Sequence, residues 1–255
     1  MMNHRQKAFF VSNEMIVVYI IIGLSILIGS VNPAFASVST LVNLSRTMLV
    51  SLIFAMCEML VIVSGGIDVS FPAIASLAMI GTAHFMIRND LNSVPFAFLM
   101  GASVGLILGL LNAFLIAVIK MPPLIATLGV SSLTNGATLA VLGAKNITNL
   151  PENLDKLYKV YLFTYTNASG INYSLTVLIL IPIVICILGW LLLRYTMLGR
   201  GIYAIGGDIR AARVAGFNVP GIQFFVYIVS GILAGIAGVT YMILMRGADP
   251  SVLMG

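Results

Sequence analysis

The sequence is poor in charged residues. Asp, Glu, Lys and Arg make up 8% of its 255 residues, whereas soluble domains carry about 25%. Hydrophobic residues make up 60%, and the mean hydropathy is +1.09. The sequence therefore predicts an integral membrane protein.

Histidine and cysteine are equally scarce. The two histidines are His4 and His84, and no H-E-x-x-H, G-x-S-x-G, C-x-x-C or P-loop motif occurs. We therefore predict no catalytic or metal site, and a separate chain must bind ATP if ATP drives this protein. Cys57 and Cys186 both fall inside apolar runs, so no disulfide framework is indicated.

Long apolar runs dominate the chain, and a membrane helix needs roughly 20 such residues. These runs are continuously apolar, without the short alternating strands of a β-barrel. We expect an all-α, polytopic membrane bundle in one domain covering residues 1–255, with the first run retained as a helix. The seven predicted spans are Met15–Val31, Thr47–Ser64, Phe71–Ile87, Val94–Ile119, Pro123–Gly143, Ser174–Leu193 and Gly221–Leu244.

Basic residues indicate the orientation. The loop at about 194–220 carries Arg194, Arg200, Arg210 and Arg213 against a single Asp208, so the positive-inside rule places it in the cytoplasm. Counting back through the six spans that precede this loop puts the N-terminus inside as well. The loop at about 145–173 is then external and long enough for a small cap or a short interfacial helix. Basic residues scattered among membrane loops give no support to nucleic-acid binding.

Small residues recur along two of the predicted spans. Such stripes let helix backbones approach closely, and we favour packing within the chain over a dimer face. The stripes are Gly101, Gly105, Gly109 and Ala113 in the fourth span, and Ser230, Gly231, Ala234, Gly235 and Gly238 in the seventh.

The stretch SGGIDVSFPA, Ser64 to Ala73, interrupts the apolar sequence with a carboxylate. Gly65 and Gly66 can end one helix, Ser70 can cap the next, and Pro72 suits its first turn. Asp68 near that helix start also meets the positive end of the dipole. We interpret Asp68 mainly as an architectural residue near a solute path.

Three further polar residues in the spans are candidates for that path. Glu58 is the most unusual, because a charged carboxylate inside a span costs about 2.5–3.5 kcal/mol on insertion scales. A solute or proton path and a protonated residue hydrogen-bonded between helices explain it equally well. Asn112 and Thr127 could bond across helices or to a hydroxylated solute.

The cytoplasmic stretch GRGIYAIGGDIRAARVAGFNVPG, Gly199 to Gly221, predicts a short helix. Its spacing suits docking in a groove of a soluble partner, or equally a basic loop on anionic lipid. Gly206 and Gly207 break the structure, Asp208 caps a helix from Ile209 to Ala215, Gly216 ends it, Ala211 and Ala212 leave a shallow face, and Arg210 and Arg213 flank it.

Three blocks together resemble the permease subunits of bacterial ABC importers for simple sugars, the ribose, xylose, arabinose and galactose family that includes autoinducer-2 permeases. The blocks are GGIDVS at Gly65–Ser70, NAFLIAVIKMPPLIATLG at Asn112–Gly129 and GRGIYAIGGDIRAARVAGFNV at Gly199–Val219.

The resemblance implies a transport subunit in the bacterial cytoplasmic membrane. Its partners would be a cytoplasmic ATP-binding subunit, a periplasmic or lipoprotein solute-binding protein, a second permease subunit (homodimer or heterodimer) and membrane lipid. The chain itself would bind no cofactor. By the motif match, Asp208, Ala211, Ala212 and Gly216 would sit in the ATPase groove.

The sequence departs from the family pattern in places. The family more often has Asn at the position of Asp208, Ser at that of Ala215, and a smaller or uncharged residue near Glu58. Family members continue past the stretch matching MRGADPSVLMG, so we expect this sequence to be a fragment.

Other functions stay open at this point. The same motifs allow import of autoinducer-2 or another small polar solute. A secondary carrier would use Glu58 as its coupling-ion site, and a membrane-embedded enzyme would use Glu58 and Asp68 as an acid/base pair.

Overall fold

A computed structural model describes residues 13–143, 145–167 and 170–249. Within these residues, six helices are long and apolar enough to cross a membrane. The polytopic α-helical fold is therefore confirmed. The apolar part of the first helix, Met15–Val31, has 17 residues and is not one of these six. The number of seven spans therefore stays a prediction.

The helices and strands follow one another with short connections. A 3₁₀ turn, Pro33–Ala36, follows α1, a π-helical turn, Phe114–Val118, extends α4, and a second 3₁₀ turn, Val177–Ile179, precedes α7. The elements are α1 (Asn13–Val31), α2 (Val38–Val63), α3 (Phe71–Arg88), α4 (Val94–Ala113), α5 (Pro123–Leu142), α6 (Glu152–Tyr158), β1 (Tyr161–Thr166), β2 (Asn172–Thr176), α7 (Leu180–Tyr195), α8 (Met197–Gly207), α9 (Ile209–Val214) and α10 (Val219–Met245).

Two predicted boundaries are wrong. Helix α2 begins at Val38, nine residues before the expected Thr47 (47 − 38 = 9), because the polar residues Asn43, Ser45 and Arg46 are accommodated within one 26-residue helix. The span expected from Ser174 begins instead after β2, because Tyr161–Thr166 and Asn172–Thr176 pair as a two-stranded sheet. The 145–173 loop, which we expected to be long enough for a small cap or a short interfacial helix, contains the seven-residue helix α6.

Proline in the first turn starts four of the long helices. Proline lacks the amide hydrogen that would be unpaired there, and its fixed φ matches the helix. Ser93 accepts a bond from the amide of Phe96 at the start of α4, and Asn218 accepts one from Gly221 at the start of α10. The same proline placement is found at the starts of α3 and α5.

The described residues form two compact units. One unit contains residues 13–45 with 164–167 and 170–174. It holds α1, the 3₁₀ turn capped by the side chain of Asn32, the start of α2 and the paired tips of the two strands, where Thr166 donates a 2.7 Å hydrogen bond to Asn172.

The second unit contains residues 46–143, 145–163 and 175–249, and it carries the remaining helices. Helices α4 and α10 cross at their glycines: a Cβ added at Gly105 would overlap the carbonyl oxygen of Gly231, and one at Gly235 would overlap that of Gly101. The two predicted stripes therefore pack against each other within the chain, as expected.

This second unit has two distinct ends. We call one the α6 end; it comprises residues 88–93, 145–160 and 246–249, joined by an antiparallel bridge between Ile147 and Ala248. We call the other the α9 end; it comprises residues 64–70, 118–122 and 196–218. Separate apolar clusters lie toward the two ends, one around Leu49, Met79 and Met242 and the other around Leu60, Ile202 and Val226.

Candidate functional site

The candidate site is built around the break between α2 and α3, residues 64–70. Gly65 adopts a φ of 82°, and the amide of Gly66 bonds to the carbonyl of Val61, so the glycines end α2 as predicted. Ser70 occupies the N-cap position of α3, but its side chain makes no capping bond. The expectation that the Ser70 hydroxyl caps α3 is wrong, because that hydroxyl is bonded to Asp68 instead.

Asp68 is the centre of a buried polar network. The residue is 2% exposed, and its Oδ1 accepts bonds from the Ser70 amide (2.8 Å) and hydroxyl (2.6 Å). Its Oδ2 accepts a 3.1 Å bond from the hydroxyl of Ser230 on α10. A buried carboxylate requires such partners, so Asp68 ties α10 to the start of α3 and does more than separate two helices.

Asn112 and Thr127 join the same region from α4 and α5. Asn112 Nδ2 donates a 2.7 Å bond to the Ser70 hydroxyl, while its buried Oδ1 has no hydrogen-bond partner among the described residues. Thr127 is fully buried; its hydroxyl donates to Pro123 and accepts a 3.3 Å bond from the Val69 amide. The structure thus brings the predicted residues Asp68, Asn112 and Thr127 together.

Glu58 reaches this region from α2. The residue is half-buried, and its carboxylate lies near the backbone N–H of Asp68. Its Oε2 is buried and has no hydrogen-bond partner within the described part of the chain. Glu58 and Asn112 therefore each carry one buried oxygen that can still accept a hydrogen bond.

The other candidate segment, residues 196–218, forms two helices where we expected one. Helix α8, Met197–Gly207, was missed because its four glycines suggested a loop. Helix α8 ends at Gly206 and Gly207, as predicted. Asp208 then caps α9 by accepting bonds from the amides of Arg210 (2.6 Å) and Ala211 (3.1 Å). Helix α9 ends at Val214, one residue early, and Gly216 follows with a φ of 86°.

The end of α8 lies directly against the break. A Cβ added at Gly206 would overlap the carbonyl oxygen of Val63, and one at Gly65 would lie 3.3 Å from the Cα of Gly206. A Cβ added at Gly207, in contrast, would meet no other atom within 4 Å. Gly206 therefore provides backbone-to-backbone contact between two segments that are far apart in the sequence, since no side chain fits there.

The faces of α9 differ from the expectation in one respect. Ala212 is 2% exposed and packs into the apolar cluster of the α9 end, so it is not available on a shallow outer face. Val214 is 90% exposed, and Arg210, Ala211 and Arg213 are also exposed. The accessible surface of α9 thus combines the apolar side chains of Ile209, Ala211 and Val214 with two guanidinium groups.

A cavity of about 360 Å³ opens at the α9 end. Its wall combines the break (Ser64–Gly66), the π-helical turn of α4, the start of α10 and two residues of α9. Lys120 and Arg213 supply the cations that line it, and Tyr227 lines it from α10. Lys120 has a φ of 63°, a left-handed conformation that non-glycine residues adopt rarely and often at functional sites.

Two residues of α10 next to the break were not predicted as part of the site: Ser230, which donates to Asp68, and Tyr227, whose hydroxyl lies against Gly66. Ser230 was read only as a small packing residue, and Tyr227 was not singled out. They are three residues apart on α10, so they share a face of that helix. Two hydroxyl-bearing residues at this spacing in an otherwise apolar span were the available signal.

The family model described as "Branched-chain amino acid transport system / permease component" matches residues 40–255. The chain belongs to this permease family. The match covers the break, the Asp68 network and both helices of the 196–218 segment. Membership in this permease family agrees with the six apolar helices of the described residues.

Several characterised permeases are similar to the chain. The galactofuranose transporter permease protein YtfT of Escherichia coli (strain K12) is 34% identical over 190 residues, 74% of this chain and 52% of the relative. The ribose import permease protein RbsC of Bacillus subtilis (strain 168) is 32% identical, over 89% of this chain and 68% of the relative.

A third relative carries a different substrate in its name. The autoinducer 2 import system permease protein LsrC of Escherichia coli O9:H4 (strain HS) is 30% identical, over 91% of this chain and 65% of the relative. The chain spans between 52% and 68% of the length of these three relatives. No solved structure matches the chain.

Proposed function

We propose that the chain is the permease subunit of an ABC importer that moves a monosaccharide or similar small polar solute across the bacterial cytoplasmic membrane. Membership of the permease family and the sugar-importing relatives support this proposal. The α9 end faces the cytoplasm, in keeping with the basic residues of the 194–220 segment. ATP is bound and hydrolysed by a separate subunit, and this chain contributes no catalytic residue.

The proposal depends above all on α9. It is a short, capped helix whose exposed surface carries Val214 next to two arginines, a surface suited to an apolar groove with an acidic rim on an ATP-binding subunit. Ala211, Arg210 and Arg213 belong to this coupling surface. Gly206, Gly207, Asp208 and Gly216 set the position and ends of the helix, and Ala212 anchors it from the inside.

The solute path passes the Asp68 network. Glu58 Oε2 and Asn112 Oδ1 are acceptors without partners, and hydroxylated solutes carry the matching donors. The side chains of Thr127 and Asp68 accept hydrogen bonds from Val69 and Ser70 and so stabilise the break. We therefore assign solute contact to Glu58 and Asn112, and positioning to Asp68 and Thr127.

The remaining partners follow from the same family. A solute-binding protein delivers the solute at the α6 end, and a second permease subunit completes the pathway. ATP binding favours one arrangement of the ATP-binding subunits, and the docked α9 transfers that preference to the break.

The test is uptake and ATPase association of a Val214→Glu variant in the whole importer. A charge placed on the docking surface should abolish co-purification of the ATP-binding subunit and reduce uptake to background. Val160→Glu makes the same change at a 50% exposed valine of the α6 end and should leave co-purification intact. Full association of the Val214→Glu variant would remove α9 from the coupling role.

Import of autoinducer-2 is a second candidate, supported by the 30% identical relative that carries this substrate in its name. Competition of labelled ribose uptake by unlabelled autoinducer-2, galactofuranose and ribose separates the two. The compound that competes at the lowest concentration identifies the solute class.

A further inference from the structure

We infer that the cavity at the α9 end is a binding site for a phosphate group carried by a small hydroxylated molecule. The cavity shares the break with the proposed solute path, and the proposal does not depend on ATP coupling. The occupant is either a free phosphorylated metabolite or the headgroup of an anionic phospholipid.

The charges of the cavity support an anion. Lys120 and Arg213 line the same space of about 360 Å³ and approach it from different elements, the loop after the π-helical turn and α9. Within the described residues, the only cations in ion pairs are Lys156, Lys159 and Arg246. Neither Lys120 nor Arg213 is therefore neutralised by a carboxylate there. A guanidinium fork paired with an ammonium group suits the several oxygens of a phosphate.

The inner wall supports a hydroxylated body next to that anion. Tyr227 is 2% exposed and lines the cavity, and its buried hydroxyl has no hydrogen-bond partner among the described residues. Gly66 leaves the room that this hydroxyl occupies, since a Cβ there would overlap it. The amide side chain of Gln223 lines the same cavity.

Electrostatics orient the ligand. The phosphate is therefore held at the mouth by Lys120 and Arg213, while neutral hydroxyls face Tyr227 and Gln223. A volume of about 360 Å³ lies in the range of small-molecule sites, roughly 300–1,000 Å³.

The backbone around the cavity is also unusual. The π-helical turn Phe114–Val118 contributes Ile116 and Ala117 to the wall, and the left-handed Lys120 follows it. Both conformations occur preferentially at functional sites. Together they direct the Lys120 segment toward α9.

The test measures binding of glucose 6-phosphate to the purified full chain in phosphatidylcholine nanodiscs. We expect saturable binding of glucose 6-phosphate, and none of glucose at the same concentrations. Loss of one charge-assisted contact, in Lys120→Gln or Arg213→Gln, should weaken binding about tenfold or more. Tyr227→Phe should weaken it several-fold without changing the elution volume in size-exclusion chromatography.

The matched control is Arg200→Gln, which removes a cation from α8 at the same end but does not line the cavity. Equal weakening in this control would mean general charge attraction and would overturn the site. Gluconate binding as tightly as glucose 6-phosphate would overturn the phosphate assignment.

A second arm distinguishes the two sources of phosphate. Nanodiscs containing phosphatidylglycerol are compared with neutral ones. If phosphatidylglycerol displaces glucose 6-phosphate in the parent chain, and the Lys120→Gln variant binds this lipid less, the occupant is a lipid headgroup and the site stands. Absence of binding by both probes would overturn the proposal and would leave the α9 coupling test unaffected.

Discussion

The two ends of the second unit are held together by different interactions. At the α6 end, Arg246 Nε lies 2.6 Å from Asp155, Lys159 lies 2.6 Å from the same carboxylate, and the Asn153 amide donates to Asn92. At the α9 end, the contact between the break and α8 is made by the backbones of Gly65 and Gly206. The α6 end thus adds polar side-chain contacts to its Ile147–Ala248 backbone bridge, whereas the break and α8 meet by close glycine packing.

The two ends therefore contrast exposed ion pairs, at the α6 end, with close backbone contact, at the α9 end. Ion pairs in water contribute little individually and weaken with salt, whereas backbone overlap cannot be relieved by rotating a side chain. Changes at the α9 end should therefore have larger effects on stability than changes at the α6 end. Four experiments test this order.

The largest effect is expected from Gly206→Val. A side chain at this position overlaps the carbonyl of Val63, so the free energy of unfolding should fall by about 3 kcal/mol, the upper part of the range for overpacking. The measurement is the thermal unfolding midpoint in detergent. Gly207→Val is the control, because a Cβ there meets nothing within 4 Å; equal loss in both variants would contradict close packing at Gly206.

Asp68→Ala should have the next largest effect. The Ser70 amide and the Ser70 and Ser230 hydroxyls lose their acceptor inside the protein, which costs about 2 kcal/mol. Asp68→Asn keeps an acceptor for Ser70, and its amide can donate to the Ser230 hydroxyl, so most of the stability should return. The measurement is the thermal unfolding midpoint of both variants. An equal loss of stability in Asp68→Ala and Asp68→Asn would show that the network depends on the charge of Asp68.

At the α6 end, Asp155→Asn should lower the unfolding midpoint only slightly. The variant removes both ion pairs, but Asp155 is in contact with solvent, and the loss should shrink further at high salt. Asp90→Asn removes a charge from the same end without breaking an ion pair of the described residues, and it serves as the control. A loss as large as that of Gly206→Val would reverse the comparison.

The smallest effect is a pH dependence at the α6 end. Hydrogen bonds from Lys159 and Arg246 lower the pKa of Asp155, and Lys156 lowers that of Glu152. A lowered folded-state pKa contributes stability that is present above the ordinary carboxyl value of about 4 and is lost as pH falls through the lowered value. The difference in unfolding midpoint between the parent and Asp155→Asn should therefore be present at pH 6 and shrink as pH falls below about 4.

Much of the architecture could be predicted from local chemistry. Pro72 and Pro123 stand in the first turns of α3 and α5 as expected, and the glycines after Val63 end α2, because these residues act through their own backbone. Asp208 likewise caps α9 through its nearest amides.

The missed features depend on tertiary contacts. Helix α8 contains glycines that disfavour a helix in isolation, yet Gly199 lies against the backbone of Leu192 and Gly206 against Val63, so packing overrides propensity. The burial of Ala212 and the bond between Ser230 and Asp68 depend on how α9 and α10 lie in the bundle. The spacing of residues within one segment contains no such information.

The glycine crossing of α4 and α10 also determines how the Asp68 network responds to a bound molecule. Asn112 and Ser230 lie on these two helices, which touch through the backbones of Gly105 and Gly231, so the distance between the helices is fixed without rotatable side chains. The free Asn112 oxygen is therefore preorganised, because folding of the chain already fixes its position. A solute bound at this oxygen, as proposed, would require little reorganisation of the protein, so more of the interaction energy would contribute to affinity.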